Sequence, residues 1–295
     1  MKLSRILCPI DFSNCSISAL KIALSIVNNS NIEIHLFHAI LMHEEDSFLN
    51  DEDIPNLEQK YDILSERARE KLSVLLKDEQ NNPAIKYVSR RGFSASEEIL
   101  RYIDDESFDL IVMGTHSRSL MREILLGSVA EKIIRLSPIP VMTVRENSKI
   151  PEKKQSILVP IDFSDHSRHA LEYALKWADM NSGRIIMLHV VKEDIHPEFY
   201  NKFGGSLFET DVKFKEHAIA EMKNLRDQFK FEHIETQFAV TIDEPARGIV
   251  DFVKQNDIHL IVIATHGLSG FEHFILGSTT ERVLHMSPIP TLVIK

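Results

Sequence analysis

The stretch "THSRSLMREILLGS", Thr115 to Ser128, returns as "THGLSGFEHFILGS", Thr265 to Ser278, and both copies lead into "SPIP", at Ser137–Pro140 and Ser287–Pro290. Earlier segments repeat in the same order. "RILCPIDFS" from Arg5 matches "SILVPIDFS" from Ser156, and "HLFHAI" from His35 matches "IMLHVV" from Ile186, both at an offset of 151 residues. The late loop aligns at 150, so one single-residue gap brings the halves into register. Internal repetition of this length constrains the fold more than any other feature, because whatever one half folds into the other must fold into as well. At 295 residues the chain is long enough to give each half a core of its own. The reading is therefore a first domain over 1–145, a linker over 146–155 and a second domain over 156–295. The linker segment "RENSKIPEKKQ" is polar, charged and broken by Pro151.

Within each half short apolar runs rich in β-branched residues read as buried strands: "RILCPI", "IEIHLFHA", "AIKYVS", "DLIVMG" and "PVMTV", then "SILVPI", "RIIMLHVV", "IETQFAV", "HLIVIA" and "PTLVI". Segments between them space their apolar residues helically, as at Ala170, Leu171, Ala174, Leu175 and Ala178. Alternating strand and helix predicts α/β architecture: two tandem flavodoxin-like or Rossmann-like domains, each a five-stranded parallel sheet with helices on both faces. The first strand is expected at the centre with the fourth beside it. Ligands of such sheets bind beyond the C-terminal strand ends where the winding reverses. That switch point lies between Asp11 or Asp162, ending the first strand, and Gly114 or Ala264, ending the fourth.

The repeated loop starts there. Its spacing is Gly114-x-x-Ser117, nine residues, Gly127-Ser128 in one half, and Ala264-x-x-Gly267, nine residues, Gly277-Ser278 in the other. The sequence then turns helical, so each Gly-Ser stands at a helix N-terminus, where free N–H groups and the helix dipole attract a phosphate. Simple capping competes with this, since Ser128-Val-Ala-Glu131 and Ser278-Thr-Thr-Glu281 both fit a capping box. Asp11 and Asp162 are likewise compatible with a helix cap or an Asx-turn. A carboxylate facing a phosphate loop across one crevice also suits a ribose hydroxyl or an adenine amine, and the pair of features points to a nucleotide.

Taken in order, the "PIDFS" strand end, the "LHVV"-type second strand, the "THG" loop, "LGS" and the "SPIP" lead resemble the universal stress protein family over nearly the whole chain. The resemblance implies a tandem member of that family. Its ATP-binding members carry G-x-x-G-x9-G-[S/T], contact the nucleoside through the Asp ending the first strand, and use backbone after the second-strand His near adenine. Carried over, the second domain offers Asp162, Val190, Ala264, Gly267, Gly277, Ser278 and Thr279. The first offers Asp11, Ala39, Gly114, Ser117, Gly127 and Ser128. Ser117 departs from the motif at its second glycine and Ala264 at its first. Because Gly267 takes φ > 0 freely and Thr279 adds a hydroxyl, ATP, alone or with Mg²⁺, is expected in the second domain in preference to the first.

The formal charge of −10 argues against a nucleic-acid or anionic-membrane surface, which demands clustered Lys and Arg. No stretch approaches a membrane span, the apolar start fails as a signal peptide at Pro9 and Asp11, and the only cysteines, Cys8 and Cys15, lie in one half; a cytoplasmic protein is expected. No Walker motif, dinucleotide G-x-G-x-x-G or repeated nucleophile–base pair is present, so no catalytic or metal-binding residue is assigned. His35 and His38 differ in strand parity and face opposite sides, which disfavours a metal site shared with His43. His116 and His266 adjoin the loop, and His38 and His189 are expected to pack at the second-strand end. The acidic "EEDSFLNDED" reads as a solvated loop, lid or partner surface, and Phe199, Tyr200, Phe203 and Phe208 as core packing or a partner contact. The function expected is an ATP-binding stress-response regulator with protein partners. The domains would pair within the chain as a pseudo-dimer, with further homodimerisation open. A slow ATPase or nucleotide-dependent transferase, and a nucleotide-free structural or interaction module, are the alternatives.

Overall fold

The structure, a computed structural model, describes residues 3–27, 32–42, 54–77, 82–115, 126–192, 207–265 and 276–295. The chain divides into two compact units, Lys2–Asn147 and Ser148–Lys295. In the first, β1 (Arg5–Pro9), α1 (Asn14–Val27), β2 (Glu33–Leu41), α2 (Ile54–Leu75), β3 (Ile85–Gly92), α3 (Ala95–Asp105), β4 (Leu110–Gly114), α4 (Ser128–Leu136) and β5 (Val141–Val144) follow one another. The second repeats them as β6 (Ser156–Pro160), α5 (Asp165–Asn181), β7 (Arg184–Val191), α6 (Leu207–Arg226), β8 (Thr236–Ile242), α7 (Pro245–Gln255), β9 (Leu260–Ala264), α8 (Ser278–Met286) and β10 (Thr291–Ile294).

All pairings within a unit are parallel. The order is β3-β2-β1-β4-β5 in the first and β8-β7-β6-β9-β10 in the second. The expected central first strand with the fourth beside it is thus present in both. A parallel strand buried on both faces should be apolar throughout, and Leu110–Met113 and Leu260–Ala264 are buried at every position. Alternation of side chains along β3 shows both faces in use. Arg69 of α2 lies over Tyr87 and Ser65 of α2 bonds Ser89, while Arg90 lies over Tyr102 of α3.

The single-residue gap between the halves falls at Phe93. Strand register keeps the 151 offset through β3 and β8, and the helix N-caps that follow, Ser94 and Glu244, stand 150 apart. Both ends of the predicted linker are tied down. Asn14 donates to Glu146 at 2.9 Å and Asn147 N–H to Ser18 at 3.2 Å in the first unit. Gln155 is buried in the second, accepting from Trp177 Nε1 at 2.8 Å and donating to Pro151 O at 2.7 Å. No described helix is long and apolar enough to cross a membrane.

Candidate functional site

Both copies of "PIDFS" make the same unusual turn. Phe12 has φ 63° and Phe163 φ 64°, left-handed values that cost a bulky L-residue about 1–3 kcal/mol. The preceding aspartate stabilises the turn from its own side chain. Asp11 Oδ1 accepts from Ser13 N–H at 2.9 Å, and Asp162 Oδ1 accepts from Ser164 N–H at 3.0 Å and Ser164 Oγ at 2.5 Å. Of the two local roles open to these aspartates, the Asx-turn is the one made. Capping passes to the serines: Ser13 Oγ accepts from Ser16 N–H at 3.2 Å and Ser164 Oγ from Ser167 N–H at 3.1 Å.

Across from the turn, the second-strand histidines do more than pack. His38 Nδ1 lies 2.7 Å from Ile10 O, and His189 Nδ1 lies 2.7 Å from Ile161 O. A carbonyl only accepts, so Nδ1 carries the hydrogen in both rings. Each ring also meets the left-handed phenylalanine, with centroids 5.1 Å apart for Phe12 and 4.9 Å for Phe163. Sequence reasoning assigned these histidines to packing and gave the phenylalanines no role. The signal for both was the recurrence of Phe after Asp, and of His late in the second strand, in each half.

The end of the fourth strand bears on the competing capping-box reading. The capping boxes at Ser128 and Ser278 do not form: Gly127 and Gly277 are the N-caps, with φ −66° and −60°, and neither helix has a side-chain cap. Ser128 and Ser278 are therefore the first helical residues, and the N-terminal N–H groups of α4 and α8 are not consumed by a side-chain cap. The loop is closed at its base by Gly127 N–H donating to Thr115 O at 2.7 Å and Gly277 N–H to Thr265 O at 2.8 Å. Gly114 has a packing reason of its own. A Cβ there would lie 2.7 Å from Ser16 N and 2.8 Å from Cys15 C, so α1 rests directly on it. Ala264 fills the matching place in the second unit, and its carbonyl accepts from Thr280 Oγ1 at 2.7 Å. Ser117, Gly267, His116, His266 and the intervening loops lie outside the described residues. So do His43, the acidic stretch and Phe199, Tyr200 and Phe203, while Phe208 falls in the first turn of α6.

In the first unit Asp11, His38, Ala39, Gly114, Thr115 and Ser128 line one cleft of about 230 Å³. Four of that unit's predicted residues thus share a cavity, and Gly127 adjoins it as the N-cap of α4. In the second unit Asp162, Val190, Ala264, Gly277, Ser278 and Thr279 hold the matching positions at the ends of β6, β7 and β9 and the start of α8. No Lys or Arg stands among the described lining of the first cleft, so an anion there meets backbone N–H groups and the α4 dipole. Cys8 is buried in β1, and burial pushes its thiol up to about 12, which removes it as a nucleophile.

His35 lies on the opposite face from His38, as parity required. It is buried against Tyr102, whose hydroxyl is 2.5 Å from Nδ1, and the edge of Phe108, with Glu33 3.4 Å from Nε2. Glu33 in turn pairs with Arg5 at 2.9 Å and with Lys86. Among the described residues the second unit does not repeat this cluster: Ile186 stands where His35 does.

A model of the universal stress protein family matches residues 2–145 and, a second time, 154–295. Among curated proteins, the universal stress protein MJ0577 of Methanocaldococcus jannaschii is 32% identical over 48% of this chain and 94% of its own length. The universal stress protein Rv2005c of Mycobacterium tuberculosis is 27% identical over 68% of this chain, which spans 66% of that relative. The crystal structure of a universal stress protein from Archaeoglobus fulgidus matches 100% of the chain and 99% of its own, with TM-score 0.69 and 24% identity. A universal stress protein structure from Pseudomonas aeruginosa, with TM-score 0.66 and 17% identity over 99% of the chain, shares the fold as well.

Proposed function

The chain belongs to the universal stress protein family, and from that premise we propose that it is a cytoplasmic regulatory module that binds an adenine nucleotide. What carries the proposal is a convergence found at one strand-end crevice. An Asx-turn aspartate, the backbone at the end of the second strand and a helix N-terminus without a side-chain cap meet there in the first unit, and the second unit repeats each element. The helix N-terminus suits the phosphates, Asp11 or Asp162 the ribose or amine, and the backbone of Ala39 or Val190 the base. ATP is the ligand this set fits, alone or with Mg²⁺, whose charge would offset that of the phosphates.

The second domain is the preferred host. Gly267 gives its loop the freedom that Ser117 lacks, and Thr279 brings a hydroxyl where the first domain has Val129. Regulation fits better than turnover, because phosphoryl transfer relies on a cation or base aimed at the phosphates, and the described lining of the first cleft supplies neither Lys nor Arg. Protein partners would read the crevice loops as ordered by nucleotide. The test is nucleotide released by heat from the purified protein and identified by mass spectrometry, followed by single-turnover hydrolysis. Bound ATP with turnover far below about 1 s⁻¹ is expected. Protein that neither carries nor takes up nucleotide would leave the structural-module alternative standing.

A further inference from the structure

In a parallel ladder alternate residues of a strand face each neighbour. On β2 the odd-numbered residues face β1: Glu33 N–H donates to Ser4 O at 2.9 Å, and Phe37 O accepts from Ile10 N–H at 2.8 Å. Even-numbered residues face β3, as Ile34 N–H to Ala84 O at 2.7 Å and Met42 N–H to Gly92 O at 2.9 Å show. The next rung of this register would run from Ala39 N–H to Ile10 O. It is not made. That carbonyl takes its hydrogen bond from His38 Nδ1 instead.

The second unit repeats the exchange. Arg184 N–H to Gln155 O at 2.8 Å and Ile161 N–H to Leu188 O at 2.8 Å fix the even residues of β7 toward β6. Ile185 N–H to Glu235 O at 2.9 Å and Asp243 N–H to Val191 O at 3.0 Å fix the odd ones toward β8. Val190 N–H would then donate to Ile161 O, and His189 Nδ1 occupies that carbonyl. Register holds through Ile10 and Ile161, and the left-handed Phe12 and Phe163 follow two residues later. The displaced rung is therefore the last one either ladder could make.

We propose that His38 and His189 are positioning residues which, by taking the final carbonyl of β1 or β6, release the N–H of Ala39 or Val190 into the crevice as a donor for N1 of an adenine base. An open amide at a strand end is solvated in the free protein and directional toward a ligand, so its release creates a recognition group without adding a side chain. The assignment of the base rests on the nucleotide reading above. The exchange of the rung does not, and the two are tested separately.

The variants separate ring from donor. His189→Phe keeps an aromatic ring beside Phe163 and removes the donor, whereas His189→Asn places an amide N–H at the same bond distance from Cα as Nδ1. In nucleotide-free protein, amide exchange followed by NMR should be fast at Val190 in the wild type, slowed at least tenfold in His189→Phe as the rung closes, and fast again in His189→Asn. With ATP and 1-deaza-ATP, which lacks the N1 acceptor, the wild type and His189→Asn should favour ATP about 2–10-fold, the worth of one hydrogen bond. His189→Phe should bind the two alike. A Val190 amide protected in wild-type protein, or one equally open in His189→Phe, would overturn the exchange. Open amides with no preference for ATP over 1-deaza-ATP would overturn the base assignment. Wild-type protein that binds neither nucleotide would overturn the nucleotide reading and leave the exchange data to decide the role of the histidine.

Discussion

Gly114 and Ala264 hold the same place and meet different neighbours. At Gly114 the added methyl would strike backbone atoms of α1 at 2.7–2.8 Å, contacts that no side-chain movement relieves. Gly114→Ala should therefore destabilise the first unit by about 1–3 kcal/mol, the usual cost of overpacking. Ala264→Gly should cost the second about 1 kcal/mol, through backbone freedom and one lost methyl. Urea unfolding separates the two. Trp177, the only tryptophan, is buried in the second unit, so its fluorescence should move with Ala264→Gly, while exchange in β1 peptides reports Gly114→Ala. A neutral Gly114→Ala would mean that α1 does not rest on that strand end. His35 makes a residue-scale claim about pH. Burial lowers its pKa, against the smaller opposing pull of Glu33. The folded state thus holds the imidazole neutral below the unfolded value of about 6.5. Stability from this site is whole above that pH and falls as the unfolded chain takes up the proton. Peptides of β2 should exchange faster at pH 5.5 than at 7.5 after correction for intrinsic rate. His35→Ile, the residue used at 186, should abolish the excess, and an unchanged acid sensitivity would count against the mechanism.

At the scale of elements, the strands were legible because parallel strands buried on both faces are short, apolar and β-branched, as "LIVMG" and "LIVIA" are. The crevice was legible because topology puts it where the winding reverses. Side-chain detail was less so. A serine three residues before glutamate reads as a capping box, yet backbone geometry makes the preceding glycine the cap, since Gly127 is extended and Ser128 already helical. The displaced rung leaves no compositional trace beyond a repeated histidine. Packing between elements differs across the repeat. Glu98 on α3 becomes Gly248 on α7, while Ala39 on β2 becomes Val190 on β7. A Cβ at Gly248 would lie 2.9 Å from Val190 Cγ1. Gly248→Ala should cost about 1–3 kcal/mol, and Val190→Ala in the same chain should recover part of it, with a coupling of about 0.5–3 kcal/mol. Additive losses in a double-mutant cycle would show that the two do not meet.

The whole molecule is one fold encoded twice, which makes its two crevices comparable within a single chain. Because the family model matches the chain twice, pairing of the two domains as an intrachain pseudo-dimer is the arrangement we propose. Cleavage in the linker should then leave the halves together in gel filtration, and two separate species of half size would refute it. The central claim is that these crevices hold an adenine nucleotide by backbone groups at a helix N-terminus, the second in preference to the first. Gly277 has φ −60° and ψ 139°, and Gly127 φ −66° and ψ 143°, angles a branched residue adopts without strain, so valine at either place obstructs the phosphate approach and spares the fold. The most direct measurement is titration of labelled ATP into the wild type, Gly277→Val and Gly127→Val. Saturable binding that disappears only with Gly277→Val is the predicted result. Loss only with Gly127→Val would reverse the assignment of the domain, and binding indifferent to both variants, or absent from the wild type, would contradict the claim.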